Sequence, residues 1–210
     1  LVRRAALGLL FTVEPKRRWV LGSPLLADPI RTVRLEAVSE LAGLPAGLSL
    51  PPVERGSFDR AVEEYRAAQG LNADRADSWL NLGALEAQLG KASQAEAAYR
   101  RGIRLQPSFM PPYINLADLY RAQGREAESE AVLLEAIARE PAVPDPHHAL
   151  GLLLVRRKQM ADALVELGKA AALTSHAPRY TYVYALGLDR AGQRARALAL
   201  LAKAQGRFPG

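Results

Sequence analysis

Apolar and small residues recur every 34 positions along the C-terminal part of the chain. Written in rows that begin at Ala76, Met110, Pro144 and Pro178, the sequence aligns Trp79, Tyr113, His147 and Thr181 in one column. Leu82, Leu116, Leu150 and Tyr184 form another, followed at once by the small residues Gly83, Ala117, Gly151 and Ala185. Further along come Gly90, Gly124, Lys158 and Gly192, then Ala95, Ser129, Ala163 and Ala197. Tyr99, Leu133, Leu167 and Leu201 follow, with Gly102, Ala136, Ala170 and Ala204 three residues later. Pro107, Pro141 and Pro209 close three of the rows, and Ser175 stands in the remaining place. Apolar spacings of three and four within each half-row predict helices, and a fixed period predicts a stacked repeat architecture.

Each column has a mechanical role. A small residue on the first helix lets the second approach, and the bulky residue four positions after the Ala column fills the space beside it. Gly between the halves supplies the positive φ that ends a helix. Loops of about three residues make the two helices antiparallel neighbours. The departures at Lys158, Ser175 and Thr181 predict looser packing in the third and fourth rows.

Upstream, Gly56, Ala61, Tyr65 and Ala68 fall in the columns of turn, small, bulky and small residue, so Phe58–Gly70 reads as a second helix without its partner. Pro45, Pro51 and Pro52 mark residues 45–56 as a linker. Residues 1–44 carry a different period of 31, which superposes Val2-Arg3 on Val33-Arg34, Ala6 on Ala37, Leu7 on Val38 and Leu10 on Leu41. Helices are predicted over Arg17–Leu26 and Ile30–Ala42, with Asp28-Pro29 as the turn between them.

The 34-residue pattern resembles the tetratricopeptide repeat, over residues 76–210 as four units (76–109, 110–143, 144–177, 178–210) preceded by a half unit at 57–75. The 31-residue pattern resembles a HEAT-type repeat; a pair of generic amphipathic helices is the alternative. The implied fold is all-α, an α-α superhelix of helical hairpins, with the first helix of each unit lining a concave face. The groove positions carried over by the resemblance are Asp77, Leu80, Asn81, Ala84, Ala87 and Gln88 in the first row, and Ile114, Asn115, Asp118, Arg121 and Ala122 in the second. The third supplies His148, Leu152, Val155 and Arg156, and the fourth Arg179, Tyr182, Leu186, Asp189 and Arg190. Asn81 and Asn115 occupy a column in which some members carry a ladder of asparagines. An amide there can pair with the backbone of an extended peptide or support the adjacent turn. Leu80, Ile114 and His148 stand where a clamp for a C-terminal carboxylate would need cations, so such a clamp is not expected.

Composition narrows the function. Hydrophobic residues make up 49% of the chain and aromatic ones only 6%, the usage of many short helices packed through Ala and Leu. No apolar run of about 18 residues occurs, so a membrane-spanning helix is not expected. With no cysteine, disulfides, thiolate metal sites and Cys nucleophiles are excluded within the sequence, and cytoplasm and periplasm stay equally open. The 28 basic residues include only five lysines, a usage that suggests a bacterial coding sequence, and the opening on Leu1 suggests an excised fragment. The net charge of +6 comes from clusters such as Arg100-Arg101 and Arg156-Arg157-Lys158 that are interspersed with acids and lack alternating aromatics, so a nucleic-acid groove is disfavoured.

Adjacent His147 and His148 point about 100° apart on a helix and cannot share a metal ion. No nucleophile elbow, phosphate loop or dinucleotide fingerprint is present. The expected function is therefore a non-enzymatic scaffold, without cofactor, that binds a protein or peptide partner. The order of segments is also similar to the C-terminal region of bacterial multihaem cytochrome c proteins, which implies, as the alternative, that the chain is the docking or assembly arm of a periplasmic multihaem cytochrome or related electron-transfer protein whose haem sites lie outside this sequence. Leu198, Leu200 and Leu201 near the C-terminus are expected to leave an apolar surface open to a second copy.

Overall fold

The computed structural model describes residues 12–44, 47–174 and 177–207, and all regular structure among them is helical. The Val2, Ala6, Leu7 and Leu10 half of the 31-residue period, and Pro45, Ser175, His176 and Pro209, lie outside the described residues. Two units are distinguished, 1–105 and 106–210.

The first unit begins with α1 (Pro15–Gly22), a 3-10 turn (Ser23–Ala27) and α2 (Arg31–Leu41). The single helix expected over Arg17–Leu26 is divided because Pro24 has no N–H for the α-helical ladder, and the chain tightens into 3-10 geometry. Asp28 Oδ1 accepts from the Ile30 amide at 2.8 Å and fixes the expected turn before α2. Helix α3 runs from Pro52 to Gly70, longer than the expected Phe58–Gly70. Pro52 starts this helix instead of excluding it, since the first residue of a helix needs no N–H donor. Gly56 consequently lies inside α3, not at a positive-φ turn.

Nor does α3 lack a partner. Ala37, Val38 and Leu41 of α2 share a core with Phe58, Ala61, Val62 and Tyr65 of α3, with Trp19 and Leu26 beside them. Polar clasps align these helices: Trp19 Nε1 donates to Glu54 at 2.6 Å, and the Arg34 guanidinium grips both Glu64 oxygens at 2.7 and 2.6 Å. Helices α4 (Ala76–Gln88) and α5 (Ala92–Leu105) complete the unit. Arg66 of α3 holds both carboxylate oxygens of buried Glu86 on α4, at 2.7 and 2.8 Å. That fork explains why an acid can occupy a position filled by Tyr120, Leu154 and Leu188 in the later rows.

The second unit is three hairpins: α6 (Pro111–Ala122) with α7 (Glu126–Arg139), α8 (Pro144–Arg156) with α9 (Met160–Ala172), and α10 (Pro178–Arg190) with α11 (Arg194–Arg207). Every hairpin, including α4–α5, turns through three residues with the same bonds. The amides of Lys91, Arg125, Gln159 and Gln193 reach back to the carbonyls of Glu86, Tyr120, Leu154 and Leu188 at 2.8–2.9 Å. This is the bond of a Schellman cap, which needs a left-handed residue one position earlier. Gly90, Gly124 and Gly192 supply it with φ of 72°, 73° and 77°, and Lys158 adopts the same conformation with φ 61°.

The third row does not pack more loosely than the second. Leu150, Leu153, Leu154, Ala163, Leu167 and Ala170 are at most 6% exposed, because the Lys158 substitution is absorbed in the turn and never reaches the core. Ser129 departs from Ala in its column and satisfies its buried hydroxyl by donating to the Ala117 carbonyl at 2.9 Å. In the fourth row Leu198 and Leu201 stay exposed.

Two stability predictions follow from these geometries. Replacing Lys158 by Gly removes the left-handed strain and is expected to raise stability by about 0.5–1 kcal/mol in urea unfolding. A Cβ on Gly83 would sit 2.5 Å from the Tyr99 ring, whereas one on Gly56 would meet nothing within 4 Å. Gly83→Ala should therefore cost about 1–3 kcal/mol, and Gly56→Ala should stabilise by about 0.5–1 kcal/mol. Equal effects of the two would contradict the packing described.

Candidate functional site

The aromatic column of the repeat is a hydrogen-bonding column as well. Trp79 Nε1 donates to the Ala73 carbonyl at 2.8 Å, and Tyr113 Oη donates to the Pro107 carbonyl at 3.1 Å. His147 Nε2 lies 3.0 Å from the Pro141 carbonyl. Each bond spans six residues and ties the chain entering a first helix to that helix. A carbonyl only accepts, so Nε2 of His147 carries a hydrogen. Its Nδ1 faces Glu166 Oε2 at 2.6 Å. Lys169 donates to the other Glu166 oxygen at 2.7 Å. Burial pushes the Glu166 carboxyl up, but His147 and Lys169 outweigh it and hold the group below the ordinary carboxylate range. His147 is thus a packing residue with a polar clasp between α8 and α9.

His148 points elsewhere. It helps to line a groove of about 210 Å³ on the first-helix side of the second unit, with Ile114, Asp118, Asp145, Ala149, Leu152, Arg156 and Arg179, over a floor that includes Ala117, Ser129 and Leu133. Its ring meets Tyr180 edge-on, with centroids 5.1 Å apart. Burial and the Arg179 charge push the His148 pKa down, against Asp145, so the ring is neutral at neutral pH. Its Nδ1 is enclosed without a partner.

Four elements place these side chains. Pro111, Pro144 and Pro178 start α6, α8 and α10 and set the direction of each first helix. The buried columns then fix rotation about the helix axis, which turns Ile114, Leu152 and Leu186 away from the core. At the α8–α10 joint, Arg179 donates to Asp145 at 2.7 Å and stacks over the Tyr180 ring at 4.5 Å. Tyr180 itself donates to Asp145 at 2.6 Å, and its hydroxyl is held above its ordinary pKa by burial and then by that bond.

Of the residues expected from sequence, Asp118, His148, Leu152 and Arg156 line this groove, with Ile114 and Arg179. Asn115, Arg121, Tyr182 and Asp189 lie on the same helices outside its lining; Asp118 and Arg121 pair with each other at 3.1 Å. Asn81, Ala84 and Gln88 lie on α4 in the first unit, where Asn81 and Gln88 are exposed. No side-chain hydrogen bond of Asn81 or Asn115 is found among the described residues. Sequence reasoning missed Asp145 and Tyr180. The available signal was the 34-residue separation of Asp145 and Arg179, opposite charges in one column on neighbouring helices.

Among the described residues no three His, Asp or Glu side chains are grouped to hold a metal, and no helix is long and apolar enough to cross a membrane. The hairpins, their shared caps and an open groove on the first-helix side define a helical-hairpin repeat protein. The family profile of the tetratricopeptide repeat matches residues 53–108 and 114–180, and the chain belongs to that family.

A stretch of 52 residues is 40% identical to the human protein O-mannosyl-transferase TMTC1; it covers 25% of the chain and spans only 6% of that protein's length. Among solved structures, MamA superposes with a TM-score of 0.56 at 18% identity, covering 76% of this chain and 96% of MamA. YrrB, described as a repeat protein of this family with an unusual peptide-binding site, superposes with a TM-score of 0.51 at 15% identity, covering 82% of this chain and 86% of YrrB.

The Glu166 clasp generates a pH prediction. A carboxylate with a lowered folded pKa stabilises fully above its unfolded value, near 4.3, and the contribution is lost as pH falls through the folded value. Glu166→Gln should cost about 1–3 kcal/mol at pH 7, and the gap to the wild type should narrow steadily below about pH 4. A gap independent of pH in urea titrations would refute an ionised Glu166.

Proposed function

We propose that the chain is a non-catalytic interaction scaffold that holds an extended peptide or a partner helix against the first helices of its hairpins. The observation that carries this reading is the groove of the second unit. There Leu152 lines the groove and is 36% exposed beside charged side chains, and Leu186, at the matching position of the next first helix, is 46% exposed. Leucines left open to water at matching positions of successive helices suit contact with an apolar part of a partner. Repeat folds present such surfaces in general. YrrB supplies a precedent for a peptide-binding site on this fold, and free amides at Asn81 and Asn115 suit pairing with a peptide backbone.

The test is selection of twelve-residue random peptides on the intact chain, with the winners remeasured by fluorescence anisotropy against groove variants. Leu152→Asp should weaken them by about tenfold or more through the burial of an unpaired charge, and Asn115→Ala by a few-fold, with helical circular dichroism unchanged. Binders indifferent to both substitutions would place recognition elsewhere.

A further inference from the structure

The groove columns of the third and fourth rows repeat one another in kind. On α8 they read His148, Leu152, Arg156; on α10, 34 residues later, Tyr182, Leu186, Arg190. Each triplet is spaced by four and therefore runs along one helix face. The corresponding residues on α6 are Ile114, Asp118 and Ala122, so the polar ring, leucine and arginine set belongs to these two rows alone.

The two arginines differ from their neighbours in being unpaired. Arg121 has Asp118, Arg157 has Glu130 and Arg179 has Asp145. Arg156 and Arg190 are exposed and make no ion pair or side-chain hydrogen bond among the described residues. Their place in the last turn suits the helix dipole, but the dipole asks for no partner and leaves the guanidiniums open. Acids near them do not close the site: Asp118 and Asp145 are engaged, and exposed Asp189 lies on the adjoining column, about 100° around α10.

We propose that α8 and α10 recognise an extended acidic segment, with carboxylates on Arg156 and Arg190 and apolar side chains over Leu152 and Leu186. This rests on the groove reading above and names the chemistry of its partner. Bidentate guanidinium–carboxylate pairing supplies the charge selection.

The probe is a fluorescein-labelled, capped peptide of four Glu-Leu-Pro triplets, compared with Gln-Leu-Pro and Lys-Leu-Pro versions by anisotropy on the intact chain. The Glu peptide should bind about tenfold or more tighter than the Gln peptide at low salt, with the difference shrinking as salt rises. Arg156→Gln and Arg190→Gln should each lose about three- to fivefold. The double variant Arg156→Glu/Arg190→Glu, both sites exposed and so compatible with folding, should prefer the Lys peptide.

Equal affinity for Glu and Gln peptides, or no change of preference on charge reversal, would overturn the acidic partner. If Leu152→Asp still abolished binding in that case, the groove itself would stand. Absence of binding by all three peptides would overturn the proposal for the partner. Indifference of every bound peptide to Leu152→Asp would overturn the groove reading with it.

Discussion

The close approach of the two helices in each hairpin governs the rest of this structure. Where Gly83 faces the Tyr99 ring and Gly151 faces Leu167, there is no room even for a methyl group without displacing the larger side chain. One helix contributes volume and the other its absence. This asymmetry fixes which helix faces meet, and a pair held so tightly must turn within three residues. The left-handed cap residue and the bond from the following amide to the carbonyl five residues back are consequences of that short turn. Once both are set, the first-helix faces that carry Ile114, Leu152 and Leu186 have no core to join.

The same constraint explains what was legible in sequence. Volume is a property of residue type, so the columns of small and bulky residues gave the hairpins, and the glycine column gave their turns. Lys158 shows the limit of that reading. A lysine at φ 61° looked like a defect in the repeat, yet its strain is confined to one residue whose side chain is in solvent. Pro52 misled in the opposite way. A proline breaks a helix interior and suits a helix start, and which applies depends on a neighbour, α2, that periodicity in the later rows could not reveal.

The candidate site was legible in part for a related reason. Helical spacing identifies residues on the first-helix face, and Asp118, His148, Leu152 and Arg156 do share a groove. It does not identify who pairs with whom. Glu86 reads as a misfit until Arg66 arrives from α3, and Asp145 reads as an ordinary first-turn acid until Arg179 and Tyr180 arrive from the next row. Charge pairing across helices depends on side-chain reach and on rotation about the helix axis, neither of which a single row encodes. His147 and His148 make the point within one dipeptide. The 100° step sends one ring to a carbonyl and a carboxylate inside the hairpin and the other to the groove.

Conservation of volume and freedom of charge therefore occupy different columns of one repeat. Positions that set the hairpin vary between Gly and Ala, or between Tyr and Leu. On the groove side the four rows present Leu80, Ile114, His148 and Tyr182 in one column and Gln88, Ala122, Arg156 and Arg190 in another. A change in the first kind of column moves a helix and costs stability; a change in the second alters only what solvent or a partner meets. The second unit can carry an acid-pairing surface on α8 and α10 without altering α6, because the energy that holds the hairpins together is spent on faces that never see it.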